Sequence, residues 1–294
     1  MVLESEKNRS FFFILCLFYG FSIFMAFQPV KSVLTDPGID LYYTHIPIIP
    51  LISAFLLYRK RKLLFSAPDP DVFPGIFIIS IGIFLYLLAK YAGFKTEYSI
   101  SLAVFSAIVF WAGTYMAIYG LNSLRKAFFP VAFLLFAVPI PASIMNRVVV
   151  EIAGASVHIT DILFNLLAIP YVRQGIEIFL PGYILVVGPE CAGWRSSIAL
   201  VLISLLAGHL FLKNFKHRFL LVALAIPLII IKNGVRIVVL YLIAYFIDER
   251  FMEPGFIHRS VGYGIFIIAL IFTGLLLCYL ENKEKKNSTA AKTT

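Results

Sequence analysis

The chain has 294 residues, of which 61% are hydrophobic and only 14% are charged. Soluble domains contain about 45–50% apolar and about 25% charged residues, so this composition excludes an ordinary soluble domain. Apolar runs of about 20 residues, the length that crosses a bilayer, indicate an integral membrane protein. The net charge of +9 comes from short basic clusters between these runs. The positive-inside rule explains such clusters, which argues against nucleic acid as a partner.

The hydrophobic pattern predicts an all-α, polytopic transmembrane helix bundle of about eight spans, in a single integral membrane domain over 1–294. In chain order the predicted spans are 11–29, 41–58, 73–89, 99–120, 128–145, 196–212, 218–247 and 260–280. The first run is long and lacks a small-residue cleavage site, so we expect it to be retained. The location predicted is the cell (inner) membrane.

Basic clusters occur at 58–62, 123–126, 212–218 and 281–286. With eight spans they all lie on one side, which the charge bias identifies as cytoplasmic. An even number of spans also places both termini there. Residues 285–294 are predicted to form a disordered cytoplasmic tail.

Residues 146–190 lack an uninterrupted apolar span and are predicted to form an extracytoplasmic cap. Residues 148–169 fit an amphipathic helix in the outer interface, and the following "YVRQGIEIFLPGYILVV" fits short extended segments bounded by Gly and Pro. Glu151, His158 and Asp161 can share one helix face, but metal ligands prefer a tighter set. We therefore predict no metal site, and the sequence contains no phosphate-binding or dinucleotide fingerprint that would indicate a cofactor.

Three polar side chains from distant parts of the sequence are predicted to reach one depth near the outer surface. Cys191 precedes the sixth span and His258 precedes the eighth. Arg236 lies roughly 27 Å along the seventh helix from Arg218, which is the outer edge of the hydrocarbon. A thiol, a guanidinium and an imidazole at one level suggest cysteine acyl transfer.

Each of these groups suits one step of that chemistry. His258 can deprotonate Cys191 and later protonate the leaving amine. Arg236 carries a permanent charge, so it suits stabilisation of an oxyanion or a substrate carbonyl, or a lowering of the thiol pKa. Glu190 and Arg195 are candidates for substrate binding beside the cysteine.

Simpler interpretations stay open for the same residues. Arg236 and Lys232 fit snorkelling side chains near the interface. His258 fits a residue that marks the headgroup boundary. Cys16 and Cys278 lie in apolar runs, where a cysteine is usually a small hydrophobe.

The segments "PECAGWRSS", "KNGVRI" and "IHRSVGYGIF" occur in this order and resemble the exosortase/archaeosortase family, as does "FAVPIPASI" upstream. The resemblance covers roughly 100–280. It implies a polytopic membrane cysteine transpeptidase or protease that cleaves a C-terminal sorting signal through a thioester. Such a signal consists of a short motif, a transmembrane helix and a basic tail.

The motifs assign roles by resemblance. Cys191 corresponds to the nucleophile, Arg236 to the arginine of the Asn-x-x-Arg motif, and His258 to the histidine of the third motif. Asn233 belongs to the second motif and joins the substrate-binding candidates. The family often has Ser after the cysteine, where this chain has Ala192. The "HRS" sequence favours the bacterial over the archaeal type.

The expected partners are exported proteins with such a sorting signal, membrane lipid, and an amine or lipid acceptor. Three alternatives remain. A purely hydrolytic membrane protease would release a free carboxylate. A small-solute transporter would carry polar residues through the midplane. A non-catalytic envelope assembly protein would tolerate replacement of Cys191, Arg236 or His258.

Overall fold

A computed structural model describes residues 2–35, 40–65, 69–93, 95–181, 183–187, 193–247 and 255–293. Within helices and strands, side chains are not described at 2–12, 15, 40, 41, 183, 257, 258 and 288–293. The sequence indicated one domain, and the chain divides into two compact units, Met1–Ile144 and Met145–Thr294.

The described part of the first unit consists of helices joined by turns. These are α1 (Val2–Thr35), α2 (Asp40–Tyr43), α3 (Ile48–Arg59), α4 (Arg61–Leu64), α5 (Val72–Tyr91), α6 (Thr96–Lys126) and α7 (Phe128–Phe133), the last followed by a 3-10 helix at Leu134–Ala137. An aromatic cluster forms much of the core. Trp111, Tyr115 and Tyr119 of α6 are buried there, with Leu64 and Leu134 packed against them.

The Pro-Ile-Pro sequence at residues 139–141 ends the first unit in a fixed turn. The Tyr43 hydroxyl donates to the Ile140 carbonyl at 2.5 Å, and the Glu97 carboxylate accepts from the Ser143 amide at 3.1 Å. Burial, with a contribution from Glu97, raises the pKa of Tyr43 to about 12, so this hydroxyl remains a donor at neutral pH. The next helix, α8 (Ala142–Leu166), begins directly after the turn.

The second unit contains the rest of α8, a small sheet and three long helices. The strands are β1 (Val172–Gln174), β2 (Glu177–Leu180) and β3 (Tyr183–Val186), and the helices are α9 (Trp194–Phe211), α10 (Phe215–Phe246) and α11 (Phe256–Thr293). The sheet is antiparallel in the order β1-β2-β3. This confirms the extended segments predicted after residue 170, so the described chain is mostly helical with one short sheet.

The helix α8 differs from the predicted interfacial helix. It packs along α10: the Phe164 and Tyr241 rings lie 5.4 Å apart, and the Thr160 hydroxyl lies 3.5 Å from the Gly234 carbonyl. With 25 residues it is long and apolar enough to cross a membrane. Its polar residues suggested an interface, but Ser156 and Thr160 satisfy their hydroxyls on backbone carbonyls four residues earlier, which makes them compatible with an apolar environment.

Seven helices in the described ranges have the length and composition of membrane spans, which confirms a polytopic helical membrane protein. They are Cys16–Thr35, Val72–Tyr91, Thr96–Lys126, Ala142–Leu166, Trp194–Phe211, Phe215–Phe246 and Arg259–Asn287. The predicted spans 41–58 and 128–145 correspond instead to two shorter apolar helices, Ile48–Arg59 and Phe128–Ala137. Seven is an odd number and nine, with both shorter helices, is odd too, so an even count that places both termini on one side requires that only one of these two helices crosses.

One end of the second unit is held by a single carboxylate. Glu284 of α11 accepts from the backbone amides of Lys213 and Asn214 at 2.8 and 3.0 Å, in the turn between α9 and α10. The carboxylate also lies 2.8 Å from Nδ1 of His217. We call this group the Glu284 clasp. It joins the C-terminal part of α11 to the α9–α10 turn.

The same helix extends beyond the predicted last span, which ended at residue 280. The sequence predicted a disordered tail from residue 285, whereas α11 continues through Thr293. The segment contains no Gly or Pro, and Glu281 pairs with Lys285 at 2.6 Å across one turn. Lys, Glu and Ala are good helix formers, which accounts for the longer helix.

Candidate active site

The helix α9 begins at a glycine that lies against α10. Gly193 has a φ of +58°, a conformation that L side chains rarely adopt. A Cβ added to it would lie 2.7 Å from Oδ1 of Asn233 and 3.3 Å from Oγ of Ser196. Only glycine therefore fits both the turn and the close approach of the two helices. Gly193 stands two residues after Cys191, so the cysteine motif enters the bundle at this contact.

Lys232 lies beside this contact and is buried, with 6% of its surface exposed. Its Nζ donates to Oγ of Ser196 at 2.6 Å and to Oδ1 of Asn233 at 3.0 Å. The Ser196 hydroxyl in turn donates to the Gly193 carbonyl at 2.9 Å. The prediction of a snorkelling lysine is therefore wrong, because Ser196 and Asn233 offer the ammonium group acceptors inside the bundle.

Arg236 follows Asn233 by one helical turn and is half-buried. A Cβ added to Gly262 of α11 would lie 3.3 Å from Nε and 3.5 Å from Cζ of this arginine. The guanidinium thus packs on α11 at a position without a side chain. Gly262 comes four residues, about one turn, after His258. Asn233 and Arg236 of α10 therefore contact the flanks of both other motifs.

Only some of the predicted site residues belong to the part of the chain that the structure describes. Cys191 and Glu190 lie outside the described residues. His258 belongs to the first turns of α11, and its side chain lies outside the described set. Asn233 is buried, whereas Arg195 is exposed at the start of α9. The convergence of the three catalytic candidates on one point stays a prediction.

A second polar cluster joins α8 to the sheet. Arg173 of β1 donates from Nη1 to Oδ2 of Asp161 at 2.5 Å, and the same nitrogen lies 3.1 Å from Nδ1 of His158. Glu151, the third residue of the predicted face, is exposed. Among the described residues no three His, Cys, Asp or Glu side chains group as metal ligands would. Arg173 gives this cluster a structural role, since it fixes β1 on α8.

The electrostatic character of the α10 contact is positive. Lys232 and Arg236 stand four residues apart on one helix, which places them about one turn from each other. Oriented cations in a water-poor site stabilise anions such as a thiolate, an oxyanion or a carboxylate. The described geometry therefore suits chemistry in which negative charge develops between α9, α10 and α11.

A family model described as transmembrane exosortase matches residues 38–275. This range covers most of the chain and includes all three motifs. The chain belongs to the transmembrane exosortase family. The family is known for membrane peptidases that act on proteins with sorting signals, and this member is a multi-pass membrane protein. No curated protein and no solved structure matches the chain.

Family membership confirms the resemblance seen in the three motifs and extends it toward the N-terminus, to residue 38. The sequence alone did not reveal that Lys232 and Ser196 are partners in this exosortase-family site. Ser196 lies one turn into α9 from Gly193, inside the cysteine motif, and a serine at that position does not by itself indicate a partner on another helix. Their partnership joins positions 36 residues apart, so only the packing of α9 on α10 reveals it.

Proposed function

We propose that this chain is a membrane cysteine peptidase and transpeptidase that cleaves the C-terminal sorting signal of exported proteins through a thioester intermediate. The nucleophile in this proposal is Cys191, the proton carrier is His258 and the stabilising cation is Arg236. Asn233, Arg195 and Glu190 are proposed to bind substrate around them. The acceptor is water, an amine or a lipid.

One observation carries the proposal. A single stretch of α10 contacts the residue two places after Cys191, at Gly193, and the residue four places after His258, at Gly262. These contacts involve Asn233 and Arg236, the asparagine and the arginine of the Asn-x-x-Arg motif. Segments of all three motifs thus meet where one glycine of α9 and one glycine of α11 lie against polar residues of α10.

The proposed reaction begins when His258 removes the proton from the Cys191 thiol. The thiolate attacks the carbonyl carbon of the scissile peptide bond, and Arg236 stabilises the resulting oxyanion. Collapse of this intermediate breaks the C–N bond, and His258 returns the proton to the leaving amine, which departs with the transmembrane tail. The remaining thioester is attacked by water or by an acceptor nucleophile, which regenerates the thiol.

Membrane anchoring of the substrate supports such a reaction physically. A substrate whose tail is a transmembrane helix holds its cleavage motif at a fixed depth, which reduces the entropic cost of bringing the reactants together. An apolar surrounding limits water at the thioester and so favours transfer over hydrolysis. We place the site on the extracytoplasmic side and both termini in the cytoplasm, because the basic clusters then follow the positive-inside rule.

The experiment that tests this proposal is coexpression with a reporter that ends in a sorting motif, a transmembrane helix and a basic tail. We expect full-length reporter to persist with Cys191→Ala and processed reporter to accumulate with the unchanged chain. Cys278→Ala is the matched control, because Cys278 is exposed in α11 and stands apart from the motifs. Equal processing by Cys191→Ala would refute the proposed nucleophile.

The product distinguishes the proposed enzyme from its alternatives. Mass spectrometry of the processed reporter would show a joined acceptor after transfer and a free C-terminal carboxylate after hydrolysis. Hydroxylamine added during the reaction would convert a thioester into a hydroxamate on the reporter. A transporter or an assembly protein would give neither product. The Cys191→Ala variant would then retain the activity of the unchanged chain.

A further inference from the structure

Lys232 belongs to the second motif segment, but neither the motif assignments nor the proposed steps give it a role. A buried ammonium group is costly unless hydrogen bonds or an opposite charge compensate it. Its two described acceptors, Ser196 Oγ and Asn233 Oδ1, are neutral. Arg236, one turn along α10, adds a second positive charge. The arrangement is therefore suited to an anion close by.

The position of Gly193 shows which segment of the chain lies against Lys232. A Cβ added to Gly193 would be 3.5 Å from Nζ of Lys232. Two residues of chain span at most about 7 Å, so connectivity keeps Cys191 within that distance of Gly193. Cys191, the nucleophile of the proposed enzyme, is therefore joined by only one intervening residue to the glycine that lies against Lys232.

We propose that Lys232 is the cation that stabilises the thiolate of Cys191, and that Ser196 and Asn233 hold its ammonium group in place. The inference rests on the proposed function, in which Cys191 attacks as a thiolate. Ser196 acts here as a positioning residue: its hydroxyl proton is donated to the Gly193 carbonyl, which leaves an oxygen lone pair for Lys232. Lys232 divides the work with Arg236, which faces the developing oxyanion.

Other ionisable residues belong to the same three helices or to the segments that adjoin them. Arg236 follows on α10, Arg195 and Glu190 flank the start of α9, and His258 and Arg259 belong to α11. On α8, Asp161 is paired with Arg173. A pH-dependent measurement on Cys191 therefore needs variants that separate Lys232 from these groups.

The test is the pH dependence of Cys191 alkylation by iodoacetamide, measured on the full chain in detergent or nanodiscs. Cys16→Ser and Cys278→Ser leave Cys191 as the reacting thiol. A nearby cation shifts a thiol toward its thiolate by about one pH unit or more. We expect Lys232→Met to raise the midpoint of the alkylation profile by about one unit and to slow alkylation at pH 7 about tenfold. Lys232→Arg should restore most of the rate, and Ser196→Ala should give a smaller shift in the same direction.

Lys216→Met is the matched control, because Lys216 is exposed near the other end of the same helix. An unchanged midpoint in Lys232→Met, or a wild-type midpoint equal to that of a free thiol at about pH 8.5, would overturn the inference. If Lys232→Met fails to fold, the Lys232→Arg and Ser196→Ala variants test the inference. Identical alkylation profiles for wild type and Ser196→Ala, both with the midpoint of a free thiol, would refute the inference.

The alkylation assay needs no substrate, so its outcome is separate from that of the processing assay. Unchanged processing by Cys191→Ala would refute the proposed function whatever the alkylation profile. Processing that requires Ser196 and Lys232 but survives Cys191→Ala would refute both proposals, because it would identify the serine as the nucleophile. A shifted profile together with loss of processing in Lys232→Met supports both.

Discussion

The helices α9, α10 and α11 meet at two ends, and the two ends handle charge in opposite ways. In the Glu284 clasp, one carboxylate faces two backbone amides and the His217 ring within 3.0 Å. At the opposite end, Lys232 donates to two neutral oxygens, and Arg236 lies one turn away. The first end matches a charge with complementary donors, whereas at the second end a lysine with two neutral acceptors stands one turn from another cation.

This difference separates a structural joint from a candidate reaction centre. Complementary hydrogen bonds to a carboxylate stabilise the native helix arrangement. A buried ammonium group with neutral acceptors is stabilised further when an anion binds or forms beside it. Substitutions at the Glu284 end should therefore change stability, and substitutions at the Lys232 end should change activity.

The largest effect is expected from Arg236→Gln, which removes the permanent charge from the Lys232 end. Loss of one oxyanion-stabilising group costs about 10²–10³-fold in rate, so reporter processing should fall by at least about 100-fold while the melting temperature stays near that of the wild type. Arg218→Gln, near the Glu284 end, is the control and should keep processing. Normal reporter processing by Arg236→Gln would contradict the assignment of activity to the Lys232 end.

Gly193→Ala sharpens the comparison by disturbing only the contact between α9 and α10. The left-handed backbone and the 2.7 Å approach to Asn233 both oppose a methyl group. We expect processing to fall by about tenfold or more, since small displacements at a site are expensive. Gly274→Ala, where nothing lies within 4 Å of the added carbon, should behave as wild type. Equal activities of the two variants, measured by reporter cleavage, would contradict this contact.

A smaller effect is expected at the contact between Arg236 and α11. Gly262→Ala places a methyl group 3.3 Å from Nε, and the flexible arginine can yield by a few tenths of an ångström. Processing should fall about threefold to tenfold, because a modest displacement of a stabilising group weakens the transition state. Gly264→Ala, two residues further on the same helix, meets open space and is the control. A larger loss in Gly264→Ala than in Gly262→Ala would place the critical face of α11 elsewhere.

The smallest change in activity is expected from Glu284→Gln, although the stability should fall. The substitution weakens hydrogen bonds to a charged group, which contribute about 1.5–3 kcal/mol each in proteins, so the melting temperature should drop by a few degrees. Glu281→Gln removes only an exposed pair with Lys285 and should change it little. Thermal unfolding in detergent measures both. Loss of processing without loss of stability in Glu284→Gln would reverse the roles of the two ends.

The sequence predicted what depends on local pattern. Apolar runs identified most of the long helices, and Gly and Pro around residues 175–182 identified the strands. The sequence did not predict features that depend on tertiary contacts. Nothing near Lys232 in sequence indicates Ser196 as its acceptor, and nothing near Ser156 and Thr160 shows that α8 packs along α10. The motif residues Arg236 and Asn233 were found because their family spacing is preserved, whereas their contacts with glycines required the fold.

The two short apolar helices of the first unit have a consequence for the surrounding lipid. Ile48–Arg59 has 12 residues and extends about 18 Å, well below a hydrocarbon thickness of about 30 Å, and Phe128–Ala137 is shorter still. They lie together, since the Ser53 hydroxyl donates to the Pro130 carbonyl at 2.7 Å. Two such neighbours create a hydrophobic mismatch at one place in the membrane. We expect acyl chains there to compress, which would make this side of the protein a thinned patch of bilayer.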